Sequence, residues 1–354
     1  MRFERSKSEN NPAVQGRTRT RNIAFLAALG VLLAGAVLLS LRAGSYSTPL
    51  GELVRGIFGQ AVDPKINIVV RNNRMPRICT AILSGAGLGM SGCVLQAILR
   101  NPLASASTLG VSQGAGFGAA FAIIVLNLGA SAGLAAGLAI PVCAFVGSMA
   151  VALIILGLSR FRQVSPEGIV LAGVAISSMF SGATTLLQYF ADEVQLQTLV
   201  FWTFGDLGST NWADIRVLLV VAALAGVYFF AHRWDYNALL SGTETATSIG
   251  LNVRRLTMVN MMLCCVVAST VVSYIGLISF IGLIAPHMVR QVVGNNHVYL
   301  IPGAALAGAT LLLLGDLFAR VAISPVILPI GAITSFLGGP LFLYLLFKGR
   351  RRAC

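Results

Sequence analysis

Residues 77–99 read RICTAILSGAGLGMSGCVLQAIL, and after Arg77 this stretch contains no charged residue. A helix needs about 20 predominantly apolar residues to cross the hydrocarbon core of a bilayer, so the stretch is long enough to span a membrane. Gly85 and Gly89 stand four residues apart, a spacing that lets helix backbones approach each other closely in lipid. The stretch therefore predicts a membrane-spanning helix that packs against other helices.

Further apolar stretches extend this prediction along the chain. The predicted spans cover residues 22–41, 77–99, 107–127, 133–158, 167–190, 213–232, 257–277, 279–293, 300–319 and 330–347. The residues from 257 to 293 form one apolar run that is too long for a single span, and Gly276 and Gly282 offer a break within it. The sequence thus predicts an all-α polytopic membrane protein with ten transmembrane helices.

The composition agrees with a membrane bundle. Of the 354 residues, 56% are hydrophobic and only 10% are charged, whereas about 25% are charged in an ordinary soluble chain. So few charges cannot solvate so apolar a surface, which excludes both a soluble globular protein and a disordered one. A net charge of +13 would suggest nucleic acid in a soluble protein, but here the charges act as an orientation signal and no nucleic-acid partner is expected.

The distribution of the 25 basic residues predicts the orientation of the chain. With the N-terminus inside, two thirds of them fall on the cytoplasmic side, as the positive-inside rule prefers. An even number of spans then leaves both the basic tail 1–21 and the tail 351–354 in the cytoplasm, on either side of a permease domain at 22–350. The predicted outer basic residues are Arg42, Arg55, Lys65, Arg71, Arg74, Arg77, Arg216 and Arg320. Most of them lie in or beside the outer segment 42–76, so this segment is expected to have an acidic partner.

The chain contains no nucleotide-binding loop of the Walker A type. That loop requires Gly-Lys-Ser/Thr, because the lysine reaches the phosphates, and none of Lys7, Lys65 and Lys348 follows a glycine. If ATP drives this protein, another polypeptide binds it. No nucleophile–base pair and no histidine or cysteine set at metal-ligand spacing stands out, so neither catalytic residues nor a metal site is predicted.

The longest predicted cytoplasmic loop covers residues 233–256. Within it, Thr243–Ala246 can start a short helix and Gly250 can end it. A short helix, a glycine turn and the basic pair Arg254 and Arg255 make a compact docking surface, with a plain connector as the alternative.

Charged residues at the outer ends of two spans form a second candidate site. Arg74 and Arg77 are three apart, so both are expected to face the same way at the outer surface, where they bind a partner or anchor lipid headgroups. Asp316 and Arg320 are four apart near the outer end of a span. Ionisable residues at this depth are functional candidates by default, and a pair that neutralises itself is the alternative.

Two polar turns lie at the predicted inner surface. In Arg100–Ala104, Pro102 ends the helix and forces Asn101 out of it, which fits either an ordinary turn or a functional one. Ser165 followed by Pro166 and Glu167 is typical of a helix N-terminus.

Taken in order, these motifs resemble the FecCD family, the permeases of type II ABC importers for iron–siderophores, haem and vitamin B12. The similarity covers about residues 22–350. It is carried by the blocks 74–77 (RMPR), 84–86 (SGA), 91–92 (SG), Gln96, 100–104 (RNPLA), 109–110 (LG), 114–115 (GA), 248–255 (SIGLNVRR), 276–290 (GLISFIGLIAPHMVR) and 328–335 (LPIGAITS). The family usually has Glu before Leu-Pro in the last block, where this chain has Ile327.

The resemblance implies a type II ABC importer permease bundle that pairs with a second permease subunit, either identical or different. Two ATPase subunits would dock in the cytoplasm and bind ATP and Mg²⁺, so that this chain itself holds no cofactor. A periplasmic binding protein would deliver the substrate to the inner membrane. An iron chelate of the siderophore type leads as the expected cargo, with haem and cobalamin as alternatives.

The resemblance also implies three functional regions. Arg74, Arg77 and Arg320 would dock the binding protein. The ATPase-coupling residues would be Ser241, Gly242, Thr243, Glu244, Ala246, Ser248, Gly250, Asn252, Arg254 and Arg255. The translocation gate would comprise Asn101, Pro102, Leu103 and Ser165.

A secondary transporter is the alternative from a different class. It would carry its substrate without an ATPase, driven by a gradient. Proton coupling would call for a chain of buried acids, and inverted-repeat transporters have two similar halves. The chain shows neither feature, so the importer permease is favoured.

Overall fold

The computed structural model describes residues 12–43, 49–128, 133–161, 166–323 and 326–350. In this part of the chain every regular element is a helix, apart from one isolated bridge between Ile323 and Val326. The helices are α1 (Pro12–Arg42), α2 (Leu50–Ile57), α3 (Pro64–Val69), α4 (Met75–Ile98), α5 (Val111–Ala120), α6 (Gly133–Phe161), α7 (Pro166–Tyr189), α8 (Glu193–Phe204), α9 (Trp212–Ala231), α10 (Arg233–Leu239), α11 (Thr243–Ser248), α12 (Val253–Ile275), α13 (Ile281–Val293), α14 (His297–Val321) and α15 (Ile330–Arg350). The all-α prediction is confirmed.

Each predicted span corresponds to one apolar helix of the described chain. Seven are long and apolar enough to cross a membrane, namely Gly16–Arg42, Pro64–Ile98, Gly137–Ser159, Gly168–Tyr189, Trp212–Ala231, Val253–Ile275 and His297–Val321. Three others have apolar segments of only 10–17 residues, namely Val111–Val125, Ile281–Val293 and the part of α15 at Ile330–Tyr344. Helices of that length rise about 15–26 Å, less than the hydrocarbon thickness of about 30 Å. The count of ten transmembrane helices therefore stays a prediction.

The second span begins earlier than its sequence predicts. α3 runs through a π-helical turn at Val70–Arg74 directly into α4, so the motif at 74–77 lies inside a long helix. In this turn the Met75 N–H donates to the carbonyl of Val70, five residues back. Pro76 follows at the start of α4, where the altered hydrogen-bond ladder tolerates a residue without an N–H.

The predicted break between α12 and α13 is present. Gly276 ends α12 with a φ of +76°, and Phe280 precedes α13 with a φ of +67°. Positive φ is accessible to glycine at little cost, so Gly276 is where the long apolar run can turn. The sequence break and the structural break coincide for this reason.

The interior of the bundle is built around α4, most of whose residues from Pro76 to Ile98 are buried. Its closest neighbour is α14. A Cβ atom added to Gly85 would lie only 2.4 Å from the carbonyl oxygen of Gly308, and one added to Gly308 would lie 2.2 Å from that of Gly85. The two backbones touch, as the small-residue spacing predicts, and α4 and α14 form one close-packed pair.

The predicted connecting segments contain helices that the hydropathy pattern did not show. The outer segment holds α2 and α3, the outer loop after α7 holds α8, and the cytoplasmic loop holds α10 in addition to α11. The predicted short helix at Thr243 is confirmed as α11, and Gly250 follows its end with a φ of +90°. These helices are too short or too polar to appear in a search for membrane spans.

Candidate functional site

A buried carboxylate organises the ends of α4 and α14 that are predicted to lie on the outer side. Asp316 on α14 is completely buried. Its Oδ1 accepts a hydrogen bond of 2.8 Å from Nε of Arg77 on α4, and its Oδ2 accepts one of 3.0 Å from Nε of Arg320. One carboxylate thus joins two helices through two charge-assisted hydrogen bonds, which are among the strongest that side chains form.

The arginines of this cluster also hold the end of α1. Arg320 donates to the hydroxyl of Ser40 and to the carbonyl oxygens of Ser40 and Ala43, while Arg74 donates to the carbonyl of Leu41. These carbonyls lie in the last turn of α1 and just beyond it, where a helix leaves its acceptors unsatisfied. We call Arg74, Arg77, Arg320 and Asp316 the outer arginine cluster.

A second carboxylate reaches the cluster from the loop that follows α8. Asp206 lies 3.5 Å from the Arg77 guanidinium, and 56% of its side chain is exposed. The backbone of this loop is held by a hydrogen bond from the Asp206 N–H to the carbonyl of Ile275 at the end of α12. With Asp206 beside it, the outer arginine cluster brings three guanidinium groups together with two carboxylates, Asp316 and Asp206, which leaves an excess of positive charge.

The structure brings the three predicted docking arginines together but turns them inward. Arg74 and Arg77 are only 6% and 8% exposed, so the expectation that both present their charges at the outer surface is wrong. They turn inward because Asp316 and the carbonyls of α1 are better partners than water. The self-neutralising pair considered for Asp316 and Arg320 is present, and the docking role stays a prediction.

The predicted coupling residues form one continuous exposed surface at the other end of the bundle. Ala246 is completely buried and holds α11 against the protein, while Thr243, Glu244, Ser248 and Gly250 are exposed. Ser241, Asn252, Arg254 and Arg255 are exposed beside them, and Gly242 is half-buried. Ile249 is 69% exposed, so the surface has an apolar centre with a polar and basic rim, an arrangement typical of protein interfaces.

Backbone hydrogen bonds fix the shape of this surface. The Gly250 N–H donates to the carbonyl of Thr247 and the Leu251 N–H donates to that of Ala246, the pattern of a Schellman motif with a left-handed residue at its centre. Asn252 then accepts a hydrogen bond from the Arg255 N–H and caps α12. The sequence predicted the turn at Gly250, but the hydrogen bonds that close it and the cap on α12 are seen only in the structure.

The helix that precedes this surface is anchored by polar residues that the sequence analysis did not single out. Tyr236 on α10 is completely buried and donates a hydrogen bond to Asn260 on α12. Burial raises the pKa of the Tyr236 hydroxyl well above its ordinary value, so the group stays protonated and can donate. The sequence offers no signal for this contact, because Tyr236 and Asn260 lie 24 residues apart.

The proposed gate residues that the structure describes form a tight turn. Arg100 adopts a φ of +47°, and Asn101 accepts a hydrogen bond of 2.9 Å from the Leu103 N–H. Pro102 and Leu103 are exposed. Exposure is expected of residues that contact a second subunit or line a substrate path. Ser165, the fourth predicted gate residue, lies outside the described residues.

A small pocket with a mostly apolar lining lies beside the segment that follows this turn. Ser91, Ser105, Ser107 and Ser112 contribute to its lining together with Phe280 from the helix break. Its volume of about 20 Å³ leaves room for about one water molecule. This pocket holds nothing larger than water, so it is not itself a substrate site.

The sequence of the chain matches the family described as the FecCD transport family over residues 32–348. The chain belongs to the FecCD transport family. Two curated relatives are similar along nearly their whole length. The hemin transport system permease protein HmuU of Yersinia pestis is 34% identical over 92% of this chain and 96% of the relative. The vitamin B12 import system permease protein BtuC of Shigella boydii is 36% identical over 94% of this chain and 97% of the relative.

A solved structure shows the same architecture. The chain of a metal-chelate type ABC transporter in an inward-facing conformation superposes with a TM-score of 0.79 and 32% identity, covering 91% of this FecCD chain and 98% of the other. The FecCD chain described here is therefore a multi-pass ABC importer permease. Its described residues contain no group of three or more His, Cys, Asp or Glu side chains that could hold a metal ion.

Proposed function

We propose that this chain is the translocation subunit of an ATP-driven importer that carries a metal chelate of the siderophore class across the inner membrane. The match to the FecCD family over residues 32–348 is the observation that carries the proposal. The named relatives transport hemin and vitamin B12, so haem and cobalamin are supported equally as cargo. The cargo class common to all of them is a large, metal-containing chelate.

The energy source lies in a partner. The chain has no Walker A lysine, and the surface formed by α11 has an exposed apolar centre that a separate ATPase, with ATP and Mg²⁺ bound, would cover. A second permease subunit would complete the path, because the small pocket of this chain is not itself a substrate site. In this arrangement Asn101, Pro102 and Leu103 close the path at the inner surface, and both termini lie in the cytoplasm.

Reconstitution tests the proposed class of transporter. We expect vesicles that contain the chain with its co-purified ATPase and binding protein to accumulate a ferric siderophore, haemin or cyanocobalamin only when ATP is supplied. Vesicles with the chain alone should accumulate none of these, with or without an imposed proton gradient. Accumulation by the chain alone, driven by the gradient, would establish a secondary transporter instead.

We further propose that the outer arginine cluster attracts the binding protein through its excess positive charge. Three guanidinium groups face two carboxylates, and the exposed Asp206 is the carboxylate that a partner can displace most easily, because it lies 3.5 Å from Arg77 and is 56% exposed. An acidic side chain on the partner would take its place. Electrostatic complementarity of this kind sets orientation and association rate.

Neutralising Asp206 should therefore strengthen docking. We expect Asp206→Asn to tighten binding-protein affinity by about two- to fivefold, the usual worth of an exposed ion pair, and to do so more at low salt than at high salt. The measurement is a titration of the binding protein onto the permease complex in nanodiscs at two salt concentrations. Glu52→Gln is the matched control, since Glu52 also pairs with an arginine at the outer side, Arg55, at 3.0 Å, but outside the cluster. Equal affinities for Asp206→Asn and the wild type would exclude docking at this cluster.

A further inference from the structure

A cluster of polar side chains ties the coupling segment, residues 233–256, to the two long helices behind it. Its members are Tyr236 and Asn237 on α10, Asn260 on α12, and Asn296 and His297 at the start of α14. The sequence motifs described above include none of them. Tyr236 and Asn260 are completely buried, and His297 is 1% exposed.

The first half of the cluster connects α10 with α14. Asn237 donates from Nδ2 to Oδ1 of Asn296 at 3.0 Å, and its own Oδ1 accepts from the backbone N–H of His297 at 2.8 Å and lies 2.9 Å from Nδ1 of the same histidine. Oδ1 of Asn296 also accepts from the Val298 N–H and so caps α14. Two asparagine side chains, Asn237 and Asn296, thus accept from the first N–H groups of α14, where helix N–H groups lack partners within the helix.

The second half connects α10 with α12. The Tyr236 hydroxyl donates to Oδ1 of Asn260 at 2.6 Å, and Nδ2 of Asn260 donates to the carbonyl of Leu256 at 2.7 Å. The Tyr236 ring also meets the His297 ring edge-on, with 5.6 Å between their centroids. The two halves therefore form one connected cluster. Buried polar groups are costly when they lose a partner, so this cluster holds its geometry while neighbouring parts move.

α14 continues from this cluster to the opposite end of the bundle. Its 25 residues rise about 37 Å, with Asp316 near the far end in the outer arginine cluster. Along the way the backbone contact between Gly85 and Gly308 joins α14 to α4. If the start of α14 moves, these contacts would carry the movement to the α4–α14 pair and to the outer arginine cluster.

We propose that Tyr236 and Asn237 are positioning residues that lock the coupling segment to α12 and α14 and so transmit movement between the ATPase surface and the outer arginine cluster. This inference rests on the proposed ATPase contact at residues 241–255. It assigns the transmission to α10, which lies outside that contact, and not to α11 alone. Binding at the outer arginine cluster should then also affect the ATPase surface, because coupling between two binding sites is reciprocal.

The test measures how strongly the binding protein stimulates ATP hydrolysis by the full complex in nanodiscs, a signal that has to cross the bundle and needs no substrate. We expect Tyr236→Phe and Asn237→Leu to retain the unstimulated rate and the co-purified ATPase. Stimulation should fall by about tenfold in Tyr236→Phe, the factor that corresponds to one unsatisfied buried hydrogen bond, and by less in Asn237→Leu, because Asn237 is only half-buried. Tyr236→Phe keeps the packed ring, so the chain should fold. Tyr228→Phe, which removes a hydroxyl on α9 outside the cluster, should behave as the wild type.

A double-mutant cycle separates transmission from general damage. If Tyr236 acts through Asn260, then Tyr236→Phe combined with Asn260→Leu should reduce stimulation no further than Asn260→Leu alone. Wild-type stimulation in both Tyr236→Phe and Asn237→Leu overturns the proposal, and so does a proportional loss of stimulated and unstimulated rates, which would show a purely structural role. Failure of the proposed function looks different, because the wild-type complex itself would then retain no ATPase or show no stimulation.

Discussion

Replacing Asp316 with alanine should destabilise the protein more than any other single change to its charged residues. The substitution leaves Arg77 and Arg320 without the buried carboxylate that now accepts from both of them at 2.8 and 3.0 Å. Breaking a buried ion pair by removing one partner typically costs about 3–5 kcal/mol, because the remaining charge stays desolvated. The measurement is thermal unfolding in detergent, where we expect a clear fall in the unfolding temperature and in the yield of folded protein.

A second carboxylate beside Arg77 provides a matched control. Asp206→Ala also removes a carboxylate beside Arg77, but this carboxylate is 56% exposed and 3.5 Å away, so we expect a loss of no more than about 1 kcal/mol. Asp316→Asn should fall between the two variants, since an amide oxygen still accepts a hydrogen bond but carries no charge. Similar unfolding temperatures for Asp316→Ala and Asp206→Ala would contradict the buried-cluster interpretation.

Replacing Gly250 with proline should abolish ATP-driven uptake while the ATPase continues to hydrolyse ATP. Gly250 has a φ of +90°, and its N–H donates to Thr247 at 2.9 Å. Proline requires a φ near −65° and has no N–H, so it can satisfy neither condition, at a local cost of about 3 kcal/mol or more. The turn after α11 must then rearrange, and the proposed ATPase surface loses its shape. Uptake and hydrolysis measured in the same vesicles test this prediction.

Gly59→Pro is the control for backbone strain. Gly59 has a φ of +74°, and its N–H donates to Gly56 at 3.1 Å, so proline there breaks the same kind of turn in the outer segment, far from the ATPase surface. We expect this variant to lose stability but to keep the wild-type ratio of ATP hydrolysed to substrate taken up. Coupled uptake at the wild-type ratio in Gly250→Pro would remove residues 241–255 as the coupling site.

Hydropathy predicted every apolar helix of the described chain, including the break between α12 and α13. It missed α2, α3, α8 and α10, because these helices are short and carry no long apolar run. The start of α4 was also placed too late, since polar residues before Arg74 conceal a helix that continues through a π turn. These errors share one cause. Hydropathy detects a long run of apolar residues, and it does not detect a short or polar helix that is held by hydrogen bonds.

The candidate sites also differ in how much of them could be predicted, because some rest on local patterns and others on contacts between distant residues. The turn around Gly250 is a local feature, and residues three or four apart were sufficient to predict it. The contact between Arg77 and Asp316 joins residues 239 apart in sequence, and the contact between Asn237 and His297 joins residues 60 apart. No periodicity links such pairs.

The sequence by itself determined that the protein is a membrane bundle, to which family it belongs, and where the polar segment with the short helix α11 turns at Gly250, because each of these follows from composition or from short motifs. Only the tertiary structure decided which way the outer arginines point and what anchors α10. Both depend on which buried polar groups meet when distant helices pack, since in a nonpolar interior each charge or hydroxyl must find a partner and the nearest one is set by the fold.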